Sequence, residues 1–286
     1  MTASAAPATV AELLRASVLP PLEARILLGH ALGWRRTELI TRAGDRLSAE
    51  AVAAWRALEA RRAAGEPVAQ LVGAREFYGL DFEVTPHVLI PRPETELLVE
   101  TALAALEGVA QPRALDLGTG TGAIAVALAY ARPDARVWAL ERSVDALQVA
   151  IRNAARLVDP ARPGGAPTLL QSDWYAALQP ALRFDVIVSN PPYIASGDPH
   201  LSQGDLRFEP RSALTDEADG LSAIRVIVAG APDWLVAQGA LWIEHGYDQA
   251  AAVRALLSER GFASVRSERD LAGIERISGG MWGKAA

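Results

Sequence analysis

The chain has 286 residues, of which 50% are hydrophobic and 22% charged, with a formal net charge of −6 at pH 7. Such a length suits one large domain, or one typical domain and a small one. With no cysteine, disulfides, thiolate metal sites and cysteine nucleophiles are excluded, and the four histidines have no ligand spacing, so no metal is expected. The start, MTASAAPAT, lacks the pattern of a signal peptide, and no apolar run reaches ~20 residues, so we expect a soluble, cytoplasmic protein.

Charge is distributed unevenly along the chain. Residues 1–75 contain ten arginines and seven acidic residues, a net charge of +3, whereas the remainder contains 18 basic and 27 acidic residues, a net charge of −9. Because proteins that bind nucleic acid usually present a basic surface, an acidic main domain argues against direct nucleic-acid binding.

Residues 1–70 are predicted to form a small helical domain that recognises a substrate. The segment LPPLEARILLGHALG (19–33) has apolar positions at helical spacing, prolines at its start and Gly33 at its end. The segment LSAEAVAAWRALEARRAAG (47–65) begins with Ser48 as a helix cap and ends at Gly65. Neither segment contains a catalytic pattern. Candidate contacts to a partner are Arg15, Arg35, Arg36, Arg61 and Arg62, each of which is also explained as a solvated position on a helix.

Residues 71–95 are predicted to form a β-hairpin connector, because glycine, proline and aromatic residues alternate there with β-formers. From residue 96 to 286, strands and helices alternate, which predicts a doubly wound, mostly parallel, seven-stranded Rossmann-like sheet. The predicted strands are 113–118, 136–141, 167–173, 184–190 and 239–246, with two more within 262–280. The predicted helices are 96–107, 123–131, 144–157, 220–237 and 248–260.

LDLGTGTGAIAVALA (115–129) is predicted to be a strand, a glycine-rich turn and a helix. Gly118, Gly120 and Gly122 allow a ligand to approach the backbone, and the start of the helix offers free N–H groups. Glu141 ends the next strand, where dinucleotide-binding folds place an acid that binds ribose. These features indicate a nucleoside-type ligand, which is either NAD or S-adenosylmethionine (AdoMet).

The third strand of the predicted sheet ends in Ser172, Asp173 and Trp174. An acid followed by an aromatic residue at this sheet edge suits hydrogen bonding to an adenine amino group and covering of its face. Ser-Asp is also a common helix cap, so this signal is weak on its own.

FDVIVSNPPY (184–193) begins as a buried strand and ends in two prolines, which cannot donate to a sheet ladder. In a sheet of this order the first and fourth strands are neighbours at the ligand-binding edge, so NPPY should lie beside the glycine-rich turn. The Asn190 side chain and nearby carbonyls can accept from a planar –NH2, and Tyr193 can stack on it or face a sulfonium cation. This arrangement favours AdoMet over NAD and predicts methyl transfer to an amide or amino nitrogen.

Together these motifs resemble the release-factor glutamine N5-methyltransferases, which methylate the glutamine of the Gly-Gly-Gln motif in class 1 peptide-chain release factors. The resemblance covers nearly the whole chain and includes GAREFYGLDFEV, FEPRSAL and, most specifically, IPRPETE (90–96) together with NPPY. It implies AdoMet as the cofactor, a release factor as the protein partner, and no direct partner in nucleic acid or membrane.

Site residues follow from the same resemblance. It implies that Gly118–Gly122 contacts the methionine part of AdoMet, that Glu141, where Asp is commoner, binds the ribose, and that Trp174 lines the adenine pocket. The full set of implied cofactor residues is Asp116, Gly118, Thr119, Gly120, Thr121, Gly122, Glu141, Asp173, Trp174 and Asn190. The implied catalytic residues are Asn190, Pro191 and Tyr193, and Pro192 and Phe77 join them in binding the substrate glutamine.

Three alternatives use the same motifs. An N-methyltransferase acting on a ribosomal-protein glutamine would share NPPY, although IPRPETE usually reads differently in those proteins. A nucleic-acid base N-methyltransferase would flip its target base onto NPPY and should carry a basic recognition region. A non-enzymatic or NAD-binding Rossmann module would bind a nucleotide without transferring a methyl group.

Overall fold

The computed structural model describes residues 8–283 and divides into two compact units, Met1–Ala74 and Arg75–Ala286. Residues 1–7, which make up most of the stretch used for the signal-peptide expectation, and residues 284–286 lie outside the described part. None of the helices in the described part has both the length and the apolar character needed to cross a bilayer.

The first unit is helical, as its sequence predicts. Ser48 Oγ accepts from the backbone N–H of Ala51 at 3.2 Å, and Gly33 ends its helix in the left-handed conformation, so both predicted caps are present. Trp55 is completely buried at the centre of the core. The helices in residues 8–74 are α1 (Val10–Ala16), α2 (Pro21–Leu32), α3 (Arg36–Thr41), α4 (Ala49–Ala63) and α5 (Val68–Val72).

A β-hairpin follows, formed by β1 (Ala74–Phe77) and β2 (Leu80–Glu83). It lies within the range predicted for the connector, but residues 71 and 72 belong to α5. Gly73 ends that helix with a φ of 73°, a conformation that favours glycine.

The second unit contains the predicted seven-stranded sheet, in the order β5-β4-β3-β6-β7-β9-β8. The first five strands in this order, β5, β4, β3, β6 and β7, run parallel to their neighbours. The strand β9 runs antiparallel to both β7 and β8. The strands are β3 (Arg113–Leu117), β4 (Arg136–Glu141), β5 (Thr168–Gln171), β6 (Phe184–Ser189), β7 (Leu235–Glu244), β8 (Phe262–Arg269) and β9 (Glu275–Trp282). The helices are α6 (Glu96–Ala105), α7 (Ala123–Ala131), α8 (Val144–Leu157), α9 (Arg211–Leu214), α10 (Ser222–Gly230) and α11 (Ala250–Arg260).

Both faces of the central strands are covered. Ala114 and Val186 belong to the core shared with α6 and α7, while Leu115 and Ile187 belong to the core shared with α10 and α11. Successive side chains of a strand point to opposite faces, so strands buried on both sides read as continuous apolar runs. This burial holds the carboxyl ends of β3 and β6 side by side.

The prediction of one helix over 220–237 is wrong at its end. The helix α10 stops at Gly230, a short 3₁₀ turn covers Ala231–Asp233, and β7 begins at Leu235 rather than at residue 239. Pro232 lies in that turn, and a proline cannot donate the N–H that a helix interior requires. Leu235 pairs with Phe184, and the register then shifts before the regular pairing of β6 with β7 begins. Because of this shift, the residue pattern alone does not show where the strand starts.

Candidate active site

A cavity of about 630 Å³ lies at the carboxyl ends of β3, β4, β5 and β6. Its lining includes Gly118–Thr121 after β3, Glu141 at the end of β4, Asp173 and Trp174 after β5, and Asn190 after β6. As predicted, β3 and β6 are parallel neighbours, so the glycine-rich turn and NPPY meet at one edge of the sheet. The volume is within the range of small-molecule sites.

Ten of the fourteen residues assigned to the site from sequence line this cavity. They are Phe77, Gly118, Thr119, Gly120, Thr121, Glu141, Asp173, Trp174, Asn190 and Pro192. We call Gly118–Thr121, Glu141, Asp173 and Trp174 the cofactor-side wall, and Phe77, Thr95, Asn190 and Pro192 the acceptor-side wall. The remaining four assigned residues, Asp116, Gly122, Pro191 and Tyr193, do not line the cavity.

Glu141 holds the glycine-rich turn. Its Oε2 accepts from the backbone N–H of Gly120 at 2.9 Å, and its Oε1 accepts from that of Ser143 at 2.9 Å. Gly120 has a φ of 56°, and a Cβ added there would meet no protein atom within 4 Å. The backbone therefore leaves room on the cavity side, and a carboxylate with two bonds made can still accept more.

Asp116 and Gly122 shape the same turn from behind. Asp116 is completely buried, and its Oδ2 accepts from Thr119 Oγ1 at 2.5 Å. Burial raises the pKa of Asp116 to about 7. Gly122 has a φ of 81°, and a Cβ there would lie 3.2 Å from that of Ala150, so it permits α7 to pack closely against α8.

Trp174 is held beside the turn by a local loop. Its φ is 46°, and its ring lies 3.9 Å from where a Cβ of Gly118 would be. Ser172 Oγ donates to the carbonyl of Trp174 at 2.6 Å and accepts from the N–H of Ala177 at 3.0 Å. No helix follows β5, so Ser172 stabilises a turn rather than capping a helix, while Asp173 and Trp174 line the cavity.

Asn190 is anchored by a residue far away in the sequence. Its Nδ2 donates to Thr95 Oγ1 at 3.1 Å, and Thr95 ends the 3₁₀ turn Pro93–Thr95. Tyr193 packs against the core behind this edge, and its hydroxyl donates to Glu244 Oε1 at 3.4 Å. Burial raises the pKa of Tyr193, and it raises the pKa of Glu244 to about 7.

Comparisons with known proteins identify the family. Residues 6–73 match the model of the PrmC N-terminal domain, and residues 93–204 match that of the methyltransferase small domain. The release factor glutamine methyltransferase of Burkholderia pseudomallei (strain K96243) is 70% identical over 279 residues, covering 98% of each chain. The corresponding protein of Bordetella pertussis (strain Tohama I) is 57% identical, covering 94% of this chain and 97% of its own. This chain belongs to the release factor glutamine methyltransferase family.

The family resemblance predicted from sequence is thereby confirmed, as is the methyltransferase fold. A methyltransferase of known structure from Pyrococcus furiosus has a TM-score of 0.51 with this chain and covers 79% of it and 98% of its own length. Its sequence identity is 20%, so the likeness shows a common fold.

Several polar residues of this family member's site were missed by sequence reasoning. The IPRPETE segment had no assigned role, yet the Arg92 guanidinium forms an ion pair with Glu209, whose other oxygen accepts from the N–H of Ile90 at 2.9 Å. Glu209 and Glu244 are buried acids within apolar or proline-rich segments. An acidic residue in such a segment is unusual and could have marked both positions as candidates, but the sequence does not indicate which side chain each acid contacts.

Among residues 8–283 no three His, Asp or Glu side chains are arranged as a metal-ligand group. The metal-free site therefore stays a prediction.

Proposed function

We propose that this protein transfers the methyl group of AdoMet to the side-chain amide nitrogen (N5) of the glutamine in the Gly-Gly-Gln motif of class 1 peptide-chain release factors. The observation that carries the proposal is the position of Asn190, which faces the same cavity as the glycine-rich turn. Membership of the release factor glutamine methyltransferase family supplies the substrate class. The reaction would take place in the cytoplasm, where release factors act in translation.

The cofactor-side wall suits AdoMet. The open side of Gly120 would admit the methionine part close to the backbone, and the Glu141 carboxylate would accept from the ribose hydroxyls. Asp173 would accept from the adenine amino group, and the Trp174 ring would cover the adenine face. Bound AdoMet supplies an electrophilic methyl group, and no metal is needed for that chemistry.

The acceptor-side wall suits a glutamine side chain. An amide nitrogen is a poor nucleophile because its lone pair is delocalised into the carbonyl. Asn190 Oδ1 would accept one of its two hydrogens, and the backbone carbonyl of Pro191, which lies in the chain between the cavity-lining residues Asn190 and Pro192, would accept the other. The two acceptors would orient the amide and stabilise the positive charge that develops on its nitrogen. The aromatic ring of Phe77 would pack against the side-chain methylenes, and Tyr193 would support the strand end.

Alignment provides much of the remaining rate acceleration. The acceptor nitrogen needs to lie about 3–3.5 Å from the methyl carbon, in line with the bond that breaks. AdoMet held by the cofactor-side wall would supply the methyl group, with its sulfur as the leaving atom, and the amide nitrogen oriented by Asn190 and Pro191 would lose one proton to water. The proposal therefore requires acceptors that position the amide and does not require a dedicated general base.

The helical unit is proposed to recognise the body of the release factor. A groove on this unit is lined by Trp34 and by two exposed apolar residues of α2, Leu22 and Ile26, and Arg25 and Arg36 contribute positive charge. Remote contacts of this kind can hold a reactive loop at the methyl donor.

Three of the five arginines predicted as contacts already pair with acidic residues. Arg61 forms an ion pair with Glu66, Arg62 forms one with Glu23 at 2.7 Å, and Arg35 forms one with Glu38 at 3.6 Å. Arg36 lines the groove and is the stronger candidate.

The test is mass spectrometry of a class 1 release factor incubated with the protein and AdoMet. The expected result is one added methyl group on the peptide that contains Gly-Gly-Gln, located on the glutamine side chain. The ribosomal-protein and nucleic-acid alternatives are tested in parallel with ribosomal proteins and with DNA and RNA. Methylation of one of those in place of the release factor would overturn the proposal. A binding titration with AdoMet, its demethylated product and NAD distinguishes a methyltransferase, which binds the first two, from an NAD-binding module, which binds NAD.

A further inference from the structure

Two residues of the acceptor-side wall, Asn190 and Thr95, form a group of polar side chains with the buried Glu244 behind them. Asn190 Nδ2 donates to Thr95 Oγ1 at 3.1 Å. The Glu244 carboxyl accepts from the Tyr193 hydroxyl at 3.4 Å, and the Thr95 side chain beside it lowers its pKa against the effect of burial. Thr95 is 5% exposed and Glu244 is 2% exposed, so water competes little for these groups. They come from the Pro93–Thr95 turn and from the ends of β6 and β7, which run side by side.

We propose that Thr95 and Glu244 are positioning residues that hold the Asn190 amide in one orientation, with Nδ2 towards Thr95 and Oδ1 towards the substrate amide. The inference rests on the proposed function, which gives Asn190 the role of acceptor. An asparagine side chain has nearly the same shape after rotation by 180°, but the rotation exchanges an acceptor for two donors. A rotated Asn190 would oppose the –NH2 of glutamine with its own –NH2 and lose the contact.

The hydroxyl of Thr95 can enforce one orientation because it has a single proton. An ionised Glu244 is only an acceptor, so it takes that proton. The Thr95 oxygen is then left with lone pairs alone, and only the Nδ2 end of Asn190 can donate to them. Without a fixed acceptor at Glu244, the hydroxyl proton could instead point to Asn190 Oδ1 and stabilise the unproductive orientation.

The groups around Glu244 set its pKa and therefore the pH above which it is an ionised acceptor. The titratable and charged groups around it are Tyr193, Glu94 and Arg276. Burial and the Glu94 charge raise the pKa of Glu244, whereas Arg276 lowers it. Glu244 Oε2 has no hydrogen-bond partner within residues 8–283, so the carboxyl is not tied to another donor on that side.

The decisive experiment compares Thr95→Val, which keeps the shape and removes the hydroxyl, with Thr95→Ser, which keeps the hydroxyl. We expect Thr95→Val to lower kcat by about tenfold to a hundredfold, the range that loss of alignment produces, and Thr95→Ser to recover most of it. The affinity for AdoMet should stay within about twofold in both, because the cofactor-side wall is untouched. Thr101→Val is the matched control, since it removes a hydroxyl that donates to the carbonyl of Leu97 within α6, and it should leave kcat unchanged.

A second comparison separates positioning from a general structural role. Adding Thr95→Val to Asn190→Ala should lower the residual kcat no further, because there is no amide left to orient. In Glu244→Gln the new side chain can donate to Thr95, so kcat should fall. The rise of the wild-type kcat with pH as Glu244 ionises should also be absent from this variant. An additive loss in the double variant, or a normal kcat in Thr95→Val, would overturn the inference.

A spectroscopic readout needs no substrate. The side-chain –NH2 signals of Asn190, assigned by their disappearance in Asn190→Ala, should show one proton protected from exchange in the wild type and in Thr95→Ser. That protection should be lost in Thr95→Val, and its persistence there would contradict the bond to Thr95. Wild-type methylation of the release factor is measured first. Its failure removes the proposed function, whereas normal wild-type activity with an unaffected Thr95→Val removes this inference alone.

Discussion

The two walls of the cavity are built in different ways. The cofactor-side wall consists of short loops after consecutive strands, in which backbone groups and one carboxylate hold each other, as in the contact of Gly120 with Glu141. The acceptor-side wall depends on side chains from distant parts of the chain, as in the contact of Asn190 with Thr95, 95 residues apart. Binding of a common cofactor can therefore be encoded locally, whereas positioning of the acceptor depends on tertiary contacts. The two functions should be separable by substitution.

The largest expected effect comes from Asn190→Ala on the acceptor-side wall. The variant should fold, still bind AdoMet measurably, and lose about 10²–10³ in kcat, because one stabilising contact to the reacting group is removed. Single-turnover methylation of the intact release factor and a separate AdoMet titration measure the two quantities. Near-normal turnover would remove Asn190 from the mechanism.

Asp116→Asn tests the support behind the cofactor-side wall. Burial raises the pKa of Asp116 to about 7, so the folded protein binds this proton more tightly than the unfolded chain does. The contribution of Asp116 to stability therefore falls as pH rises from about 4 to 7, and the amide variant lacks this loss. When the pH is raised from 5 to 8, the wild type should lose about 2–3 kcal/mol in free energy of unfolding that the variant keeps. Urea denaturation of both proteins at the two pH values provides the comparison, and an unchanged difference would contradict the assigned pKa.

Glu141→Ala should have the complementary phenotype to Asn190→Ala. Loss of the carboxylate removes the hydrogen bond to Gly120 and the proposed bonds to ribose, which should weaken AdoMet binding by roughly 1.5–3 kcal/mol. At saturating AdoMet, kcat should be close to normal. Calorimetric titration and kinetics at high cofactor concentration separate these effects. If kcat at saturation fell as far as in Asn190→Ala, the two walls would not be independent.

The smallest expected effect comes from the groove on the helical unit, outside both walls. Ile26 is 42% exposed, and Ile26→Asp should lower kcat/KM for the intact release factor by about tenfold, the equivalent of 1.4 kcal/mol. The value for a short Gly-Gly-Gln peptide should not change. Ile40, 67% exposed and outside the groove, provides the control variant Ile40→Asp. Equal losses on the factor and the peptide would show that the helical unit has no role in recognition.

Sequence was sufficient for features that depend on neighbouring residues. The periodicity of the chain predicts the seven strands, the caps at Gly33 and Ser48, and the meeting of the glycine-rich turn with NPPY, all of which the structure contains. These features follow from local conformation and from the fixed topology of a parallel sheet. The start of β7 was not predictable, because pairing of Leu235 with Phe184 overrides the local pattern.

Contacts between distant side chains could not be predicted from one sequence. Glu244 is an acid at the end of an apolar strand, which marks it as unusual, but nothing near it in sequence indicates that it meets Thr95. Arg92 and Glu209 are separated by 117 positions and form their ion pair only after folding. Conversely, Tyr193 was expected at the cavity surface, and the structure packs its ring into the core.

The order of the contacts along the chain also has a consequence for synthesis. Every residue of the cofactor-side wall has been added to the growing chain by Trp174, whereas Glu244 follows 70 residues later. During translation the parts that would hold the methyl donor are thus present well before the group that would orient the acceptor amide. A nascent or prematurely terminated chain that ends between these two positions lacks Glu244 together with β8, β9 and at least the end of β7, so we expect its sheet to be incomplete and its target to stay unmodified.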